Sequence, residues 1–91
     1  MTSRYALHPK VAVRAVAGEV FLVSDDRAFH HAHLPTAVDI INALREKPRT
    51  AAELANLISD RYEVEPAQAA RDVDTFLKML VERMVAHPVD A

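Results

Sequence analysis

Val11-Ala12-Val13-Arg14-Ala15-Val16-Ala17-Gly18-Glu19-Val20-Phe21-Leu22-Val23-Ser24-Asp25-Asp26-Arg27-Ala28-Phe29-His30-His31 is the passage that decides the fold. Residues 11–16 are rich in β-branched side chains, with an apolar set at every second position, the period of a strand with one buried face. Ala17-Gly18 supplies a turn, and Glu19–Val23 follows as a second strand. Ser24-Asp25-Asp26 is turn chemistry, because short polar side chains bond their own backbone and tolerate unusual dihedrals. A third strand runs through Arg27–His31. Two short turns predict an antiparallel meander in the order 1-2-3, with the first and third strands as edges.

The period changes after Pro35. Thr36 is expected to cap a helix, with Asp39 near the positive end of its dipole. Ala37, Ile40, Ile41 and Leu44 then fall at i, i+3, i+4 and i+7. After the polar break Arg45-Glu46-Lys47-Pro48-Arg49, Thr50-Ala51-Ala52-Glu53 is a capping box, and Leu54, Leu57, Ile58 and Tyr62 form the stripe of a second helix. Pro66 opens a third helix that buries Ala69, Val73, Phe76, Leu77, Leu80 and Met84. Its solvent side carries Arg71, Asp74, Lys78 and Glu82, and the polar tail from His87 is expected to fray. Three strands cannot bury their apolar face alone. Laying the helices across it gives an α+β domain, a three-stranded meander followed by three helices, with a winged-helix-like trihelical core. No repeat or linker divides residues 1–91, and the domain core spans about 8–86.

Composition removes several classes of function. The 91 residues include one glycine and no cysteine, with 11 Lys plus Arg against 13 Asp plus Glu. Without cysteine there is no disulfide framework, thiolate zinc site or cysteine nucleophile. A single glycine leaves no phosphate-cradling loop, dinucleotide fingerprint or serine-hydrolase elbow. The N-terminus lacks the apolar core of a signal peptide, and no apolar run approaches a membrane span, so a cytoplasmic protein that does not engage membranes is expected.

Candidate chemistry is sparse. His31 and His33 alternate on a strand and can face one metal ion, but no carboxylate beyond Asp25 and Asp26 is near in sequence, so polar edge-strand histidines are the simpler reading and no cofactor is expected. Asp25 and Asp26 are adjacent, while Asp72 and Asp74 lie about 160° apart on a helix; neither pair converges on a substrate, and no enzyme activity is expected. A winged-helix DNA-binding regulator is the alternative reading. Gln68, Arg71, Lys78 and Arg83 of the third helix are interleaved with Asp72, Asp74 and Glu82, so the charges cancel and counterion release is small; no nucleic-acid partner is expected. A His-based metal-binding protein is a further alternative.

What remains is the surface the architecture creates. The third strand leaves its outer N–H and C=O groups unpaired. The third helix is apolar around more of its circumference than a core-facing stripe needs, with Ala70, Leu77, Val81 and Met79 flanking the stripe. Side by side they form a groove with a hydrogen-bonding wall and an apolar wall, which fits an extended peptide added as a fourth strand. Such an edge also permits pairing with a second copy, a possible homodimer.

The chain resembles the PqqD-like family, the precursor-peptide recognition elements of ribosomally made, post-translationally modified peptide (RiPP) pathways, from about His8 to Val85. The resemblance is carried by Phe29-His30-His31-Ala32-His33-Leu34-Pro35-Thr36-Ala37, Ile40-Ile41 and Leu44, by Arg49-Thr50-Ala51-Ala52-Glu53-Leu54 and Tyr62, and by Asp72-Val73 with Phe76-Leu77 and Leu80. It implies a non-catalytic peptide chaperone that holds the leader segment of a precursor peptide as an added strand and presents it to a modifying enzyme, commonly a radical S-adenosylmethionine (radical SAM) protein. It further implies a strand wall of Arg27, Ala28, Phe29, His30 and His31, and a helix wall of Asp72, Val73, Phe76, Met79 and Leu80. Many members carry a glycine after the first helix and another near the end of the third; this chain has Glu46-Lys47-Pro48 and Met84 there.

Overall fold

A computed structural model describes residues 3–89. Its elements are β1 (Arg4–Leu7), β2 (Ala12–Val16), β3 (Glu19–Val23), β4 (Phe29–Ala32), α1 (Pro35–Glu46), β5 (Arg49–Thr50), α2 (Ala51–Arg61), α3 (Pro66–Glu82) and β6 (Ala86–Val89). The expected meander is β2-β3-β4, antiparallel throughout. Ala17 and Gly18 both adopt positive φ, 52° and 80°, the backbone of a two-residue hairpin whose twist matches the strands it joins. The last strand begins two residues later than the pattern predicts. Arg27 sits at φ 66°, and Ser24 N–H donates to the Ala28 carbonyl at 3.0 Å, so the turn extends to Ala28.

Val20, Leu22 and Ala32 on one face of this sheet join Ile41, Leu44, Leu54, Ile58, Val73, Leu77 and Leu80 from the helices in a single core. The second helix begins as its sequence dictates. Thr50 Oγ1 accepts from Glu53 N–H at 3.1 Å, and Thr50 N–H donates to Glu53 Oε1 at 3.0 Å. Those contacts, with the backbone N–H first, hold the Glu53 carboxyl below the usual carboxylate range, and Arg4 of β1 reaches the same oxygen at 3.2 Å.

Helix α1 departs from its expected cap. Pro35, with its φ already helical, takes the first position, so Leu34 is the N-cap and makes no side-chain cap bond, and Thr36 lies inside the helix. Asp39 serves tertiary structure instead. It accepts from the Tyr62 hydroxyl and pairs with Arg61 at 3.1 Å, joining α1 to the end of α2, and the hydrogen bond to Asp39 is the main reason the Tyr62 phenol is pushed up.

The largest departure lies at the C-terminal end. Met84 is not in the core stripe: it is 41% exposed and adopts φ 61°. Met84 N–H donates to the Val81 carbonyl at 3.1 Å and Val85 N–H to the Leu80 carbonyl at 2.9 Å. This is a Schellman closure, with buried Val85 packed in the same core as Leu80, and it usually has glycine where Met84 stands. The reversal sends the tail back antiparallel to β1, from Leu7↔Ala86 to Arg4↔Val89. Residues 87–89 therefore do not fray: with Ala86 they form β6 of a second sheet in the order β5-β1-β6, and the rest of the expected polar tail lies outside the described residues. No helix among the described residues is long and apolar enough to cross a membrane.

Two substitutions test these closures by urea denaturation. Met84→Gly removes the cost of a left-handed L-residue and should stabilise the fold by about 1 kcal/mol. Thr50→Ala should destabilise it by about 1 kcal/mol through loss of the cap.

Candidate functional site

A groove of about 180 Å³ runs between β4 and α3. Its strand side is His30, His31 and Ala32, continuing into His33 and Leu34. Its helix side is Phe76, Met79, Leu80 and Arg83, and Leu22, Ala37, Ile41 and Val85 complete the lining. Helix α3 presents these residues because Phe76, Met79, Leu80 and Arg83 are spaced three and four apart and share one face, offset from the buried Ala69-Val73-Leu77 line.

The register of β4 decides what its edge offers. Ser24 N–H bonds Ala28 O, and the pairs Leu22↔His30 and Val20↔Ala32 lie two and four residues along the same ladder. Antiparallel pairs alternate, so His30 and Ala32 turn their main-chain groups toward β3, while Phe29 and His31 turn theirs away from it. No strand among the described residues pairs with that outer side.

Side chains alternate too. His30 and Ala32 share the face of buried Leu22 and Val20. His31 stacks on Phe21, with ring centroids 4.5 Å apart and planes 1° from parallel, and its Nε2 meets Glu19 Oε1 at 2.6 Å. Phe29, 65% exposed, lies 5.9 Å from Phe21 on that same outer face. His31 thus borders the groove mainly by its main chain, and Phe29 stands on the far side of the sheet.

Of the ten residues expected to form the site, the structure gathers His30, His31, Phe76, Met79 and Leu80 around the groove. Arg27 and Ala28 belong to the turn that precedes β4. Val73 is 1% exposed and packs in the core, and Asp72 is exposed and accepts from Gln68 at 2.8 Å. Arg83, His33, Leu34 and Ala37 line the groove without having been singled out for it. The i+3 and i+4 spacing of Arg83 from Leu80 and Met79 is the sequence signal that places it there.

His30 is anchored from behind. The Asp26 carboxyl is held below the usual range, first by the Ser24 hydroxyl and then by Ala28 N–H. An ionised carboxylate only accepts, so Ser24 donates its one proton to Asp26, sharing it with the Ala28 carbonyl at 3.3 Å. Buried Ser24 Oγ then accepts from His30 Nε2–H at 3.3 Å. This assigns the proton of a neutral His30 to Nε2 and leaves Nδ1 an acceptor. Among the described residues no group of three His, Asp or Glu side chains is placed to hold a metal ion.

Comparison with known proteins places this geometry. TbiB1, solved in complex with the TbiA(beta) leader peptide, matches with a TM-score of 0.83 at 20% identity, covering 90% of this chain and 94% of that one. Lasso peptide synthetase B1, solved with its leader peptide, matches with a TM-score of 0.78 at 25% identity over 92% of this chain and 98% of that one. The PqqD part of Methylobacterium extorquens PqqCD, described as a stand-alone RiPP recognition element, gives a TM-score of 0.73 at 19% identity over 92% and 88%. The uptake hydrogenase large subunit of Cupriavidus necator is 31% identical over 71 residues, and the chain spans 12% of that protein's length. The family of coenzyme PQQ synthesis protein D matches residues 19–85, which carry β3 through α3 and the Schellman turn. With the fold shared by the solved recognition elements, that match establishes that the chain belongs to the PqqD family.

Proposed function

We propose that the chain is a non-catalytic, cytoplasmic peptide-recognition module of one domain, 1–91, whose first two and last two residues lie outside the described ones. It captures the leader segment of a ribosomally made precursor peptide and presents it to a modifying enzyme, a radical SAM protein. The observation that carries this reading is the open outer edge of β4 beside an apolar groove. A peptide laid along that edge bonds the outward main-chain groups of Phe29 and His31. Alternate side chains then fall toward Phe76, Met79 and Leu80 on one face and beside Phe29 and His31 on the other. Arg27, Ala28, Asp72 and Val73 act by shaping the turn and the helix that frame the groove. The leader complexes of TbiB1 and lasso peptide synthetase B1 support the reading, since both proteins share this fold.

Energetics suit transient capture. Ordering a flexible segment costs about 2–5 kcal/mol of the gross interaction, which favours release after modification.

The test is titration of a labelled leader segment, taken from a precursor peptide encoded beside this chain's gene. His31→Pro removes an outward donor and leaves the ladder to β3 intact, so binding should weaken at least about tenfold, the loss of one or two main-chain hydrogen bonds. Unchanged binding by this variant refutes strand addition at β4. Phe76→Ala should weaken binding, while costing less stability than the about 3–5 kcal/mol of a fully buried phenylalanine.

A further inference from the structure

The charge of the groove singles out one class of peptide. Thirteen residues line it and none is acidic, in a chain whose acids outnumber its bases 13 to 11. Its polar members are His30, His31, His33 and Arg83. The His31 ring is already engaged by Phe21 and Glu19 on the outer face. The His30 ring is tied to Ser24 Oγ at 3.3 Å behind the groove.

Arg83 is different. It is exposed at the C-cap of α3, where its backbone N–H already reaches the Met79 carbonyl at 3.0 Å, so the cap does not use its side chain. Its guanidinium makes no ion pair among the described residues. A guanidinium is a permanent cation whose planar fork matches a carboxylate. Beside apolar walls such a pair is screened less than on an open surface. Leu34, 59% exposed on the strand side, and the partly exposed Met79 line the same groove and favour apolar side chains in the segment that carries the charge.

Building on the strand-addition reading, we infer that Arg83 selects peptide segments bearing an Asp or Glu beside their apolar residues. The carboxylate pairs with the guanidinium at the C-terminal end of α3, while the apolar side chains pack against Phe76, Met79 and Leu34. Arg83 is thereby a specificity residue of the groove.

Selection of random dodecamers, displayed with fused C-termini against the immobilised full chain, tests this. Selected peptides are then synthesised with amidated C-termini, so that only side-chain carboxylates remain, and titrated by fluorescence anisotropy. Asp or Glu should be enriched at one position relative to the apolar residues. Replacing it by Asn or Gln should weaken binding about three- to tenfold. Arg83→Gln should cost the same with the acidic peptide and nothing further with the neutral one, the coupling expected of a direct pair. Arg83→Glu should shift selection to Lys or Arg at that position. Peptides that lose binding to His31→Pro yet show no acidic preference overturn the inference and leave strand addition standing. Peptides that bind His31→Pro and the parent chain equally overturn both.

Discussion

The outer main-chain groups of β4 have no strand to bond within the described chain, and the candidate site follows from that open edge. Unpaired edges invite uncontrolled association, and proteins usually shorten or cover them. Here the edge is only four residues long. It is bounded on one side by the left-handed turn at Arg27 and on the other by Pro35, which commits the chain to α1. An edge so short offers few hydrogen bonds. In the proposed strand addition, affinity therefore rests largely on side chains that enter the groove, which gives the residues of α3 as much weight as the strand.

Helix α3 has two flanks with different partners. One packs on α2 and meets β6, the strand created when the Schellman turn reverses the chain after Arg83. The other faces β4 across the groove. The buried pair Leu80 and Val85 belongs to both sides of this arrangement: each lines the groove and each sits in the core. The turn therefore closes the domain and sets the floor of the candidate site at once. Met84 holds a left-handed backbone at an energetic cost that the buried Val85 and two hydrogen bonds offset.

Much of the site was readable from periodicity. A strand edge next to a long apolar helix follows from alternation over residues 11–31 and from the i, i+3, i+4 spacing of Phe76, Met79 and Leu80. Which face of the strand takes part was not readable, because Phe29, His30 and His31 alternate across the sheet and a register shift of one residue exchanges them. The register that begins with the Ser24–Ala28 main-chain bond puts His30 and Ala32 on the face of Leu22 and Val20, the groove side. Val73 and Asp72 carry the same helical signal as Phe76, yet one lies in the core and the other in solvent. Their helix is long enough for its early turns to pack away from β4.

The sequence by itself determined the meander, the three helices, the capping box at Thr50 and the apolar character of α3, since each depends on neighbours a few residues apart. Tertiary structure alone decided the second sheet and the cap of α1. Strands β1, β5 and β6 are two to four residues long, too short for a period to register, and they pair across 44 to 85 positions of the chain. Such pairing is selected by core closure around Val85 and Ala86, which no local pattern encodes.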